Sequence, residues 1–148
     1  MRRKILLAFL AALLGLAMGA ITASLIGTVK LTLTPGIEYS SEKAPLLAAP
    51  LVFVEGLVWS ILGGAMFVLP PGFFLLAGYA MTFGPERVEP RRTRAFALGF
   101  AAVLWALLFF FGFRTRPLDA VLLAVPVVVG VWTSLRFLNR RLCLPSNS

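Results

Sequence analysis

At 148 residues, 59% hydrophobic and only 14% charged, the chain cannot be covered as a water-soluble domain, which carries about 25% charged residues; it reads as one lipid-embedded domain. With no histidine and a single cysteine, Cys143, it offers no imidazole metal or haem ligation, no histidine acid–base chemistry, no internal disulfide and no cysteine-only metal site. The net charge of +8 comes from basic residues clustered beside apolar runs, a pattern of membrane topology and not of nucleic-acid binding.

Segment one, Ile5 to Val29, follows Met1-Arg2-Arg3-Lys4. A basic start and an apolar run also describe a signal peptide, with Ala17-Met18-Gly19 and Ile21-Thr22-Ala23 as small-residue cleavage contexts. This run exceeds the about 7–15 residues of a signal core and is long enough to span, so an uncleaved transmembrane helix is expected. Lys30 to Pro50 forms the first loop, with a turn at Pro35-Gly36. The alternation Lys30-Leu31-Thr32-Leu33-Thr34 predicts a brief extended stretch, and the apolar run Leu46 to Leu51 is placed at the membrane interface.

Segment two, Leu51 to Phe83, is too long for one simple span of about 20 residues. Pro70-Pro71-Gly72 interrupts it, because tandem prolines remove two backbone donors. The expectation is a span over 51–69 with a continuation over 72–83, either as one kinked helix or as a piece along the interface. Gly84 to Arg94 is the second loop. Segment three covers 95–113, Arg114-Thr115-Arg116-Pro117 makes a tight turn, and segment four covers 118–138 with Pro126 inside it. The expected fold is therefore all-α: a single domain over 1–148, a bundle of four transmembrane helices with the second broken or kinked at Pro70-Pro71.

Orientation follows from counting. One side holds Arg2, Arg3, Lys4, Arg87, Arg91, Arg92, Arg94, Arg136, Arg140 and Arg141; the other holds Lys30, Lys43, Arg114 and Arg116. The richer side faces the cytoplasm by the positive-inside rule. The sequence thus points to a bacterial inner (cytoplasmic) membrane protein with both termini cytoplasmic.

Few positions break the apolar pattern. Gly15, Gly19, Ala23 and Gly27 recur every four residues on one face of segment one, where small side chains allow close helix approach. Segment two offers Gly56, Ser60 and Gly64, and segment four Gly130 and Ser134. These faces suit either packing within the bundle or docking of a partner. Glu55 is the carboxylate singled out within a span, about 7 Å from its outer start. With Arg114 and Arg116 on the same side it forms the candidate intramembrane polar site. Arg87, Arg91, Arg92 and Arg94 make an inner basic cluster suited to topology or to anionic head groups. Trp132 and Tyr79 are placed in the inner aromatic belt. Arg140-Arg141 with Cys143 resembles a juxtamembrane acylation context.

No Gly-rich phosphate loop, paired catalytic carboxylates, nucleophile elbow or HExxH occurs, so no catalytic residue, metal or cofactor is expected. The expected role is a non-catalytic accessory, assembly or structural subunit of a membrane complex, working through helix contacts. Its partners would be the lipid bilayer with a larger membrane protein complex or further copies of itself, and no nucleic acid. The alternative is a small oligomeric transporter or channel component with Glu55 in its pathway. A lipid enzyme built on Glu55 with Arg114 or Arg116 ranks behind both.

Overall fold

A computed structural model describes residues 2–33, 45–82, 90–110 and 117–143, and these are helical almost throughout, with no strand. The helices are α1 (Arg2–Leu33), α2 (Pro45–Phe67), α3 (Leu69–Thr82), α4 (Pro90–Leu108) and α5 (Pro117–Cys143). Proline opens α2, α4 and α5 and fills the second and third positions of α3, where its missing N–H would have no intrahelical partner anyway. Three stretches are long and apolar enough to cross a membrane: Arg2–Lys30, Ala49–Phe67 and Val121–Leu142. The apolar stretch of α4, Thr93–Leu108, is shorter.

Several boundaries differ from the sequence expectation. Lys30 to Leu33 continue α1 in place of an extended stretch, the hydrogen-bonded turns running on until Pro35-Gly36 lies just ahead. Leu46 to Leu51 belong to α2, which starts at Pro45. The helix of segment three starts at Pro90, so Arg91, Arg92 and Arg94 stand in its first turns and not in a loop. It ends at Leu108, and Phe109 and Phe110 follow in a wider turn. Asp119 stands in the first turn of α5.

Val68 is a single turn residue between α2 and α3. Its N–H donates to Gly64 O at 2.9 Å, and Gly72 N–H donates to Val68 O at 2.9 Å. Helical bonding therefore brackets the junction, while Pro70 and Pro71 donate nothing to Met66 and Phe67.

The packing is organised around α1, which meets α5, α2 and α3. Ser24 lies beside Gly56, Leu16 beside Gly64, and the Phe9 and Phe73 rings meet edge-on at 5.9 Å. As the α1 number falls the partner number rises in step, so α2 and α3 together run antiparallel along one side of α1. On another side α5 also runs antiparallel, with Gly15 against Gly130 and Ser134 and Gly19 against Pro126. α4 packs on α5.

The two branches converge where α1 begins and α3 and α5 end. Ala8, Leu76, Tyr79, Ala80, Leu135 and Leu138 are almost wholly buried there. The Tyr79 ring lies 4.7 Å from that of Phe96 on α4, and its hydroxyl donates to Asn139 Oδ1 at 3.0 Å with Thr93 Oγ1 at 3.3 Å. One phenol thus joins α3, α4 and α5. Arg2, Arg3, Lys4, Arg94, Arg136, Arg140 and Arg141 all belong to this end of the molecule.

Candidate functional site

Beyond that junction the branches separate, and an apolar cleft opens between them. Its volume is about 430 Å³. Ala12 to Ala23 of α1 form its floor, and Ser60, Gly63 and Phe67 of α2 form one wall. Leu104 of α4 and Val127 of α5 stand on the other. Leu76 and Phe100 line the end nearest the junction. Trp59 stands at its edge, 68% exposed.

The sequence provides this shape through small residues with two distinct uses. Gly15 and Gly130 are needed because two backbones touch. A Cβ on Gly15 would strike Ser134 Oγ and come within 2.7 Å of Gly130 O, and one on Gly130 would come within 2.7 Å of Gly15 O. A Cβ on Gly19 would stand 3.2 Å from Pro126 O. Such contact gains dispersion energy between helices, the main attraction available when lipid is as apolar as the side chains. Gly63 has a different setting. Its Cβ would meet nothing within 4 Å, and the space beside it belongs to the cleft.

Two buried serines bond within their own helices. Ser134 Oγ donates to Gly130 O at 2.9 Å and Ser24 Oγ to Ala20 O at 2.8 Å, the back-bonding that satisfies serine inside a helix. Among the described residues no buried side-chain polar atom lacks a hydrogen-bond partner, and no three His, Cys, Asp or Glu side chains come together as metal ligands.

The predicted positions distribute as follows. Gly15, Gly19 and Ala23 line the cleft floor, and Gly15 and Gly19 also meet α5. A Cβ on Gly27 would meet nothing within 4 Å. Ser60 and Gly64 line the α2 wall, and a Cβ on Gly56 would rest 3.6 Å from Ser24 Oγ. Glu55 is exposed on α2 and outside the cleft lining. Because α2 starts at Pro45, Glu55 stands about 15 Å along its helix. Arg94 is exposed. Arg87, Arg114 and Arg116, with the side chains of Arg91, Arg92 and Cys143, lie outside the described residues.

The sequence reading missed the Tyr79–Thr93–Asn139 group. Tyr79, an aromatic-belt residue by its place in the sequence, is only 3% exposed. The available signal was a tyrosine with two uncharged polar residues at three adjacent helix ends, since a buried phenol normally finds a hydrogen-bond partner. No protein-family model matches this chain, nor does any curated protein or solved structure.

Proposed function

We propose that this chain is a small non-catalytic subunit of a membrane complex, an accessory, assembly or structural component, which docks through the outer face of α2. In this reading α1, α2, α4 and α5 cross the bilayer as a four-helix bundle. α3 continues α2 along α1, bent at the junction, and the arginine-rich end lies in the cytoplasm of a bacterial inner membrane with both termini. A reporter fused after Ser148 reads cytoplasmic on this topology; an external reading overturns it.

The observation that carries the docking role is Glu55 on an unpacked helix. No residue from 49 to 67 is fully buried. Leu51, Val54, Val58, Ile61 and Leu62 are exposed at helical spacing, forming a stripe on the face of α2 opposite Gly63 and the cleft. Glu55 flanks that stripe. Lipid is a poor neighbour for a carboxylate at this depth: a charged side chain near the bilayer centre costs about 2.5–3.5 kcal/mol even on insertion scales. A partner helix that covers the stripe and offers Glu55 a hydrogen-bond donor or a cation removes that cost.

Purification in mild detergent at native expression tests the reading. A stoichiometric membrane partner is expected with the wild-type chain and is lost from Glu55→Gln and Val58→Trp, both of which keep the wild-type melting profile. A chain that purifies alone, or a partner indifferent to both substitutions, overturns it. No observation favours the transport alternative: Glu55 is outside the cleft lining.

A further inference from the structure

The net charge of +8 belongs entirely to one end of the molecule. The end at which α1 and α4 begin and α3 and α5 stop, with the sequence between α3 and α4, carries ten basic residues and two acidic ones, Glu86 and Glu89. Elsewhere Lys30, Lys43, Arg114 and Arg116 are matched in number by Glu38, Glu42, Glu55 and Asp119. Membrane orientation follows the count of lysine and arginine, and acidic residues contribute little to it. Topology therefore asks for basic residues at this end, but not that they go unmatched. Among the described residues this end carries no carboxylate at all.

Two of the converging helix ends lie side by side. α1 packs antiparallel along α5, with Gly15 against Gly130 and Ser134 and Gly19 against Pro126. Carried on to the helix ends, that register brings the first turn of α1 level with Arg141. Lys4 is half-buried and shares the face of α1 that holds Ala8 and Ala11, while Arg2 and Arg3 are exposed. Arg140 and Arg141 stand in the last turn of α5. Five cations thus gather at one seam. The Arg141 guanidinium lies 5.7 Å from the centre of the Phe137 ring. That contact uses the ring face and consumes none of the N–H donors. Neighbouring cations repel unless an anion lies between them, and a guanidinium offers paired donors to a phosphate.

We propose that this seam, where α1 begins and α5 ends, binds the phosphate of an anionic phospholipid from the leaflet at that end. Lys4 and Arg141 hold the phosphate, and Arg2, Arg3 and Arg140 surround it with positive charge. The occupant follows from position. The seam caps two of the stretches long and apolar enough to cross a membrane, Arg2–Lys30 and Val121–Leu142, so it stands at the level of lipid head groups. Basic recesses between spanning helices are where anionic head groups are held. The proposal rests on the membrane-embedded reading of the chain and not on the docking role of Glu55, which belongs to α2. A missing protein partner and a missing lipid preference are therefore separate results.

Native mass spectrometry of the full-length protein in a mild non-ionic detergent provides the test. The probes are phosphatidylglycerol and phosphatidylethanolamine with identical acyl chains, so that only the head group differs. The wild type should retain phosphatidylglycerol about tenfold more strongly, given the attraction of each basic side chain for anionic lipid. Lys4→Gln combined with Arg141→Gln should remove most of that preference. Arg94→Gln combined with Arg136→Gln removes the same charge from exposed positions away from the seam and should leave most of it. Arg2→Gln with Arg3→Gln, both exposed at the seam, is the second variant should the first not fold. Three results overturn the proposal: equal retention of the two lipids by the wild type, a preference that survives the seam substitutions, or an equal loss from seam and control pairs, which would mark a diffuse effect of charge and not a site.

Discussion

α5 and α2 both run antiparallel to α1, yet α1 treats them differently. Against α5 the backbones touch: Gly15, Gly19 and Gly130 interlock with Pro126 and Ser134, and Val127, Val131, Leu135 and Leu138 are buried. Against α2 the contacts run through side chains, Leu16 on Gly64 and Ser24 beside Gly56, and no residue from 49 to 67 is fully buried. All three helices carry glycine, so glycine content does not separate the pairs. What matters is whether a backbone atom or a side-chain tip stands where the Cβ would be. One pairing is a fixed spine; the other leaves α2 free to present surfaces on both its faces.

The strongest way to break this contrast is to enlarge the spine. Gly15→Leu drives a branched side chain into Ser134 and Gly130 O, and a backbone carbonyl has no rotamer through which to retreat. Overpacking typically costs about 1–3 kcal/mol and more where nothing can give, so the loss should reach about 3 kcal/mol. Thermal unfolding in detergent should show a large drop in melting temperature. A wild-type melting temperature would mean that α1 and α5 do not touch at this position.

A smaller effect is expected where the two branches meet. Tyr79→Phe keeps the ring against Phe96 but removes the hydroxyl that bonds Asn139 and lies beside Thr93. Interhelical hydrogen bonds in membrane proteins average about 0.6 kcal/mol, and leaving Asn139 short of a donor adds to this, so a loss of about 1 kcal/mol is expected. The same unfolding measurement reads it. Because the Tyr79 group joins α3 to α4 and α5, this variant should also raise the exchange of α3 amides with solvent deuterium more than that of α1. Equal protection in both helices would show that this group is not what holds α3 in place.

How much of this was legible beforehand depends on what fixes each feature. The apolar runs are set by composition, and the stretches Arg2–Lys30, Ala49–Phe67 and Val121–Leu142 stood out in the sequence because lipid solvation demands length and hydropathy alone. The helices begin at Pro45 and Pro90, ahead of the apolar runs that mark them in the sequence, because proline is well suited to a first helical turn. The small-residue face of α1 was visible as a period of four. Its division between α5 and the cleft was not, because which glycine meets a backbone depends on helix crossing, a tertiary property. Glu55 was legible as an oddity, because a carboxylate breaks an apolar run whatever the helix bounds. The cleft itself leaves no local signature. It exists because the α2–α3 and α4–α5 branches converge at Tyr79 and part beyond it.

The finest test of the contrast is the mildest substitution. Gly64→Ala places a methyl group against Leu16 Cδ1, the far end of a flexible side chain, and not against a backbone. Leu16 can change rotamer toward the cleft, which has room for it. Alanine is also worth up to about 1 kcal/mol over glycine in a helix interior, which offsets the rearrangement. The net change in unfolding free energy should therefore stay within about 0.5 kcal/mol of zero. A loss approaching that of Gly15→Leu would show that α2 is held to α1 as rigidly as α5 is. It would also remove the distinction between a packed spine and a presenting helix, on which the proposed docking role of α2 depends.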